Sequence, residues 1–243
     1  MSIENYNGGA VVAMTGKECY AIACDRRYGK ELGTIGFDYE KCFPMGDRMF
    51  LGLGGFVTDI QTVNEKITFR KNLYEQREQR KMSTKVFETM VSNMLYSAFE
   101  MSLDVKMWSI GFFLAKIQLK WPKNHFFNSL YEHRFGPYFV GTIVAGLDTD
   151  RNGVTKPYIS GTDLIGAIEA PPDFVTAGSA SNQLMGICEA LWKENMTPDE
   201  LFECISQSLM NAVDRDGISG WGASVWIVEK NQITKRTLKG RMD

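Results

Sequence analysis

The order of elements in this 243-residue chain predicts an α+β fold: a four-layer αββα sandwich, with two packed antiparallel sheets flanked by helix pairs. Three observations carry it. Short alternating apolar runs cluster at the start, middle and end of the chain. The helical patterns between them come in consecutive pairs, which suits antiparallel sheets with helices on their outer faces and not a simple βαβ parallel sheet. Linkers rich in Pro, Gly or Ser are missing, so residues 1–243 read as one domain.

The first two strands are Ala10 to Met14 and Tyr20 to Cys24, joined by the turn signal Thr15-Gly16-Lys17-Glu18. A third fits Met49 to Gly52 and ends in the cluster Gly52, Gly54, Gly55. Thr58 to about Arg80 reads as a helix, because Ile60, Val63, Ile67 and Tyr74 fall near one face with charges opposite. Thr84 to Tyr96 is a second helix with Val86, Met90, Val91 and Met94 as its apolar stripe. Strands return at Phe139 to Leu147, Pro157 to Ser160 and Phe174 to Ala177, followed by a helix over Ser179 to Leu191. Thr197-Pro198-Asp199-Glu200 is a strong helix start: Thr as N-cap, Pro at the first position, Glu closing the capping box. That helix runs to about Val213, and Gly222 to Val228 with Ile233 to Leu238 forms a closing hairpin.

With 44% hydrophobic and 23% charged residues, the chain can bury a full core. A net charge of −2 leaves no nucleic-acid footprint. The start, Met1 to Asn7, lacks the basic-then-apolar pattern of a signal peptide. Cys19, Cys24, Cys42, Cys188 and Cys204 therefore read as reduced, mostly buried thiols of an intracellular protein. With only His125 and His133 and no paired C-x-x-C, no metal site is expected.

Residues 97–130 break the pattern. Trp108, Phe112, Phe113, Trp121, Phe126 and Phe127 are interleaved with Lys106, Lys116, Lys120 and Lys123. Met107 to Leu119 contains Lys116 and is too short for a membrane span, which needs about 20 apolar residues. The flanks repeat, Leu95-Tyr96 and Leu130-Tyr131, so removing the segment would join the second helix smoothly to the stretch from Tyr131 to Tyr138. The segment is expected to be an atypical insertion: a translated in-frame intron or a lineage-specific addition.

Individually, the polar residues have bland readings. Gly52-Leu53-Gly54-Gly55 departs from the G-x-G-x-x-G dinucleotide spacing and reads as a tight strand-to-helix turn. Gly29, Gly33 and Gly36 read as loop residues, Asp25 as a partner of Arg26 or Arg27, and Lys41 as a solvated lysine. Asp214, Asp216, Ser219 and Gly220 read as a helix-ending loop.

Together they match a family. Ala21-Ile22-Ala23-Cys24-Asp25-Arg26-Arg27 resembles the second strand of proteasome beta subunits, as do Phe43 to Arg48 and Leu51 to Gly55 their own segments. Asp214 to Gly220 resembles that family's late active-site loop. Met1-Ser2-Ile3, Tyr6 to Val11, Arg134 to Tyr138 and Arg241-Met242-Asp243 are similar to one subunit type within it. The resemblance covers essentially all of the chain outside 97–130, and it implies the N-terminal-nucleophile hydrolase fold, which agrees with the sandwich read from the element order. In catalytic members a Gly-Thr bond is cut by autolysis, and the freed threonine attacks a peptide carbonyl with its own amine as base. The resemblance places the supporting aspartate on Asp25, the lysine on Lys41, the late aspartate on Asp216, and the serines on Ser179 and Ser219. The nucleophile falls on Gly9, sixteen residues before Asp25. Thr15 is the first threonine and comes after Met14; the Gly-Thr pairs at 33–34, 141–142 and 161–162 lie far down the chain.

The resemblance thus implies a non-catalytic structural beta subunit of the 20S proteasome, serving ATP- and ubiquitin-dependent protein degradation. It implies no catalytic residue, cofactor or metal, and a vestigial network of Gly9, Asp25, Lys41, Ser179, Asp216 and Ser219. Expected partners are other beta subunits of the same ring, an alpha ring and the opposite beta ring, with no nucleic acid or membrane, in cytoplasm and nucleus. Lys41→Ala is expected to affect stability modestly and the particle's peptidase activity hardly at all. The alternative is an active threonine- or serine-type endopeptidase, for which Ser2, freed of Met1, would have to fold back seven residues. A free-standing dinucleotide or small-ligand binder would need the complete glycine fingerprint.

Overall fold

The structure, a computed structural model, describes residues 3–98, 137–149 and 155–241. The first sheet contains β1 (Ala10–Thr15), β2 (Tyr20–Asp25), β10 (Phe174–Gly178), β11 (Ala223–Val228) and β12 (Ile233–Leu238), in the order β10-β1-β2-β11-β12. The second contains β5 (Cys42–Pro44), β6 (Met49–Gly55), β7 (Val140–Thr149), β8 (Thr155–Thr162) and β9 (Ile168–Glu169), in that order. A separate ribbon pairs β3 (Tyr28–Lys30) with β4 (Gly33–Gly36). Every pairing is antiparallel. The helices among the described residues are α1 (Val57–Glu78), α2 (84–98), α3 (Ser181–Leu191) and α4 (Pro198–Val213).

The side-chain period of two turns this order into layers. Along β1, Val11 and Ala13 point between the sheets, where they meet Ile22, Phe50, Ile143 and Trp226. Ala10, Val12 and Met14 point the other way, onto Leu184 of α3 and Leu201, Ile205 and Leu209 of α4. On the far side, Leu51 and Leu53 of β6 pack against Ile60, Val63 and Ile67 of α1 and Phe87 and Val91 of α2. Three apolar cores separate four layers, the αββα sandwich that the element order predicts.

Several details differ from expectation. The strand expected to stop at Gly52 runs through Gly55, so the glycine cluster is the second half of β6 and α1 begins two residues after it. Its glycines serve the sheet-to-sheet contact: a Cβ at Gly54 would stand 3.1 Å from the Gly178 backbone. Gly29, Gly33 and Gly36, read as loop residues, sit in the β3–β4 ribbon. Of the α2 stripe, Val91 and Met94 are buried, but Phe87 takes the place expected for Val86, which is exposed. The helix α3 starts at Ser181, two residues later than expected, with Ala180 at its N-cap and the Ser179 amide bonded to the Gly9 carbonyl. All five cysteines are buried and unpaired.

Residues 99–130 of the atypical segment, together with Ser2, His125 and His133, lie outside the described residues. The helix α2 continues through Ser97 and Ala98, the first two residues of that segment, and Ala98 is buried. No described helix is long and apolar enough to cross a membrane.

Candidate functional site

Antiparallel pairing brings the polar residues to one end of the first sheet. Ala10 at the start of β1 faces Gly178 at the end of β10, and Ala223 at the start of β11 faces Asp25 at the end of β2. Gly9, Asp25, Ser179 and the loop between α4 and β11 therefore converge. Lys41 joins them from just before β5, where its carbonyl accepts the Leu53 amide at 2.8 Å and extends the β5–β6 pairing by one residue.

The Asp25 carboxylate is fully buried and fully engaged. Its Oδ1 accepts from Lys41 Nζ at 2.6 Å and from the Ala10 amide at 2.8 Å, and its Oδ2 accepts from the Gly220 amide at 3.1 Å. The Lys41 ammonium, 1% exposed, donates also to the Arg27 carbonyl at 2.8 Å. Neither the reading of Asp25 as a partner of Arg26 or Arg27 nor that of Lys41 as solvated survives: Arg26 pairs with Asp38, and Lys41 is in the core.

A second cluster stands beside the first. Asp216 Oδ2 accepts from the hydroxyls of Ser179 and Ser219, both at 2.7 Å. Ser179 Oγ lies 3.2 Å from the Gly9 carbonyl too, but its single proton goes to the shorter, charge-assisted bond. The Gly9 carbonyl is satisfied instead by the Ser179 amide at 2.8 Å, and Ser179 Oγ accepts from the Gly9 amide at 3.1 Å. Beyond Asp216 a cleft of about 480 Å³ opens, lined by Asp214, Arg215, Trp221 and Arg241 among others.

Gly9 lies between the clusters. A Cβ built on it would stand 3.0 Å from Lys41 Cε and 3.4 Å from Nζ, so any side chain at this position would be handed to the lysine. Glycine offers none. Its nitrogen is an amide joined to Gly8 and already donating to Ser179, with no lone pair for base work. The six expected residues are brought together, and the arrangement holds a buried ion pair and an oriented carboxylate with nothing to activate.

Two residues of the site had no reading of this kind from sequence. Arg27, 2% exposed, ties three segments through carbonyls: Ile218 at 2.8 Å, Glu31 at 2.9 Å and, more loosely, Asn7 at 3.5 Å. Burial lowers its pKa from the ordinary value, while Asp25 and Asp216 oppose the shift. Asn7, also buried, reaches from the N-terminal segment to the ribbon and to the start of α1. Backbone carbonyls carry no letter of their own, so neither set of contacts has a local signature. Among the described residues no group of three or more His, Cys, Asp or Glu side chains could hold a metal ion.

The same arrangement has relatives. Residues 5–113 and 115–228 match the family described as "Proteasome subunit". The chain is 49% identical to proteasome subunit beta type-3 of Drosophila melanogaster over 243 residues, covering all of both chains. It is 44% identical to proteasome subunit beta type-3 of Saccharomyces cerevisiae over 240 residues, 99% of this chain and 98% of the relative. To proteasome subunit beta type-3-A of Arabidopsis thaliana it is 44% identical over the full length of both. The match spans both sheets, all four described helices and every residue of the converging network, and the chain belongs to the proteasome subunit family.

Proposed function

We propose that this chain is a non-catalytic beta subunit of the 20S proteasome core particle, contributing surface to the ring and wall to the proteolytic chamber. The observation that carries the reading is Gly9 in front of Lys41 Nζ: the position that must hold a nucleophile has no side chain and no free amine. Losing a covalent nucleophile removes most of the advantage that surrounding groups supply. A closed ring of unlike subunits still needs every member's surfaces, whatever its pocket does. The partners on this reading are beta neighbours in the same ring, an alpha ring and the opposite beta ring, in cytoplasm and nucleus. Its work is ATP- and ubiquitin-dependent protein degradation carried out by other subunits.

Native mass spectrometry of the tagged chain, purified from its own cells, tests this. A stacked-ring particle containing the chain is the expected result, and a free monomer or small homo-oligomer would refute it. Peptides from the same sample test the insertion reading of 97–130. Peptides running from Met94 directly to Glu132, with none from inside, would establish a retained intron, and abundant internal peptides would rule it out.

A further inference from the structure

The sequence holds two Asn-Gly pairs, Asn7-Gly8 and Asn152-Gly153, and the second lies outside the described residues. Asn-Gly is a chemically labile dipeptide. The glycine nitrogen, with no side chain beside it, can attack the asparagine carboxamide and expel ammonia. At residues 7 and 8 each half of the pair is demanded by a separate contact. Gly8 stands at φ +68°, and a Cβ on it would lie 2.0 Å from the Ile218 carbonyl oxygen, so only glycine fits. Residue 7 must donate and accept at once. Its Nδ2 donates to the Gly29 carbonyl of β3 at 2.8 Å, and its Oδ1 accepts the Val57 amide of α1 at 3.0 Å. A carboxamide carries both functions on one planar group, whereas a carboxylate only accepts.

The contacts that require the pair also hold it back. Ring closure needs the Gly8 nitrogen about 3–3.5 Å from Asn7 Cγ and aligned with the face of the carboxamide. A carboxamide tied at both ends is not free to turn that face to the nitrogen. Asn7 is buried, so water and base reach the pair only when the segment opens. The product does not fit the same place. An aspartate at residue 7 would set a carboxylate oxygen against the Gly29 carbonyl with no proton between them, and would bury a charge. Arg27 reaches the Asn7 carbonyl at 3.5 Å, but it is already tied to Thr34, Ile218 and Glu31. An isoaspartate would add a main-chain carbon just ahead of Gly9, whose amide and carbonyl both bond Ser179.

We propose that Asn7-Gly8 is a one-way modification site: closed in the folded chain, open whenever the N-terminal segment unfolds, and incompatible with refolding once it has reacted. The Gly8 nitrogen forms a bond to Asn7 Cγ and gives up its proton, the Cγ–Nδ2 bond breaks, and ammonia leaves carrying that proton. Water then opens the succinimide at either carbonyl, giving aspartate or isoaspartate, and nothing is oxidised or reduced. A chain that stays unfolded is thereby withdrawn from those that can still fold. The site rests on residues 7 and 8 and is independent of the ring-subunit reading.

Peptide mapping by mass spectrometry tests this on the full chain, in whatever assembly it is purified. One sample is kept native and one is held in guanidinium chloride, at the same mildly alkaline pH and temperature. A synthetic peptide of residues 5–11 sets the rate of the open pair. The unfolded chain is expected to deamidate at Asn7 at about the rate of the peptide, and the native chain at least about ten-fold more slowly. Equal rates in the native and unfolded chains would overturn the proposal. So would an Asn7 that stays intact in the unfolded chain while the peptide reacts. The second measurement uses a tagged Asn7→Asp chain made in the same cells, scored by the share recovered soluble and resistant to thermolysin. That share is expected to fall at least about five-fold below that of the unchanged chain. Equal recovery would show that the reacted chain still folds, and the one-way site would be refuted. A chain that migrates alone would refute the ring-subunit reading and leave these measurements intact.

Discussion

Helices α1 and α4 begin in opposite ways. The start of α4 is self-contained: Thr197 Oγ1 accepts the Glu200 amide at 3.4 Å, and Glu200 Oε2 accepts the Thr197 amide at 2.9 Å. These contacts are exposed and span three residues. The start of α1 has no cap of its own and relies on buried Asn7, fifty residues earlier. An exposed cap exchanges one solvated arrangement for another and stabilises modestly; a buried one, if lost, leaves amides and carbonyls with neither protein nor water. The Asp25–Lys41 pair belongs with the second kind, sixteen residues apart and out of solvent. The molecule therefore keeps its large energies where the chain is joined to itself over distance.

The largest break in that comparison should come from Lys41→Ala. It strands a buried carboxylate, and the expected loss is about 3–5 kcal/mol, read as a lowered unfolding midpoint of the purified chain. This revises the modest effect that sequence alone suggests, because Lys41 is in the core and not at the surface. Peptidase activity per assembled particle should be unchanged. Asn7→Ala comes next: it leaves the Gly29 carbonyl and Val57 amide unpaired, and about 2 kcal/mol should be lost in the same melt. Thr197→Ala removes the local cap, and about 1 kcal/mol is expected. A Thr197→Ala loss larger than that of Asn7→Ala would contradict the ranking of buried over exposed contacts.

The same division sets what could be read from the sequence. The capping box of α4 was legible to the residue, since all its letters are adjacent. Strand positions came from alternation, and the convergence of Gly9, Asp25, Ser179 and Asp216 is dictated once the strands pair antiparallel. Lys41 taken alone reads as a surface lysine; only its resemblance to a family lysine marked it, because burial of a charge is decided by what folds over it. Asn7 and Arg27 escaped because most of their partners are main-chain atoms in remote segments. Gly54 reads as a turn residue until the opposing sheet shows why a Cβ is excluded. Val86 and Phe87 differ by one helical position, about 100°, which periodicity over a short window does not resolve.

The smallest expected effect sharpens the comparison from the buried side. Cys204 Sγ lies 3.8 Å from Met14 Sδ, a contact across 190 residues, and all five thiols are enclosed in the same way. Burial, aided for Cys19 by the nearby Glu229 charge, pushes that thiol from 9.0 up to about 11. Burial above all, with Cys204 and Asp173 adding to it, pushes Cys188 up to about 12, against the nearby Ser208 hydroxyl, which favours the thiolate. The folded-state values lie above the unfolded ones, so this contribution to stability is complete below about pH 9 and is lost as pH rises toward 11 and 12. At pH 8 a thiol near 11 is ionised in only about one molecule in a thousand, and the reactive species is the thiolate. We predict no measurable alkylation of the native chain by iodoacetamide at pH 8 over the time in which the urea-unfolded chain is labelled at all five positions, as counted by mass spectrometry. Labelling of Cys19 or Cys188 in the native chain would mean that the first sheet and its helix layer open far more readily than their closed packing allows.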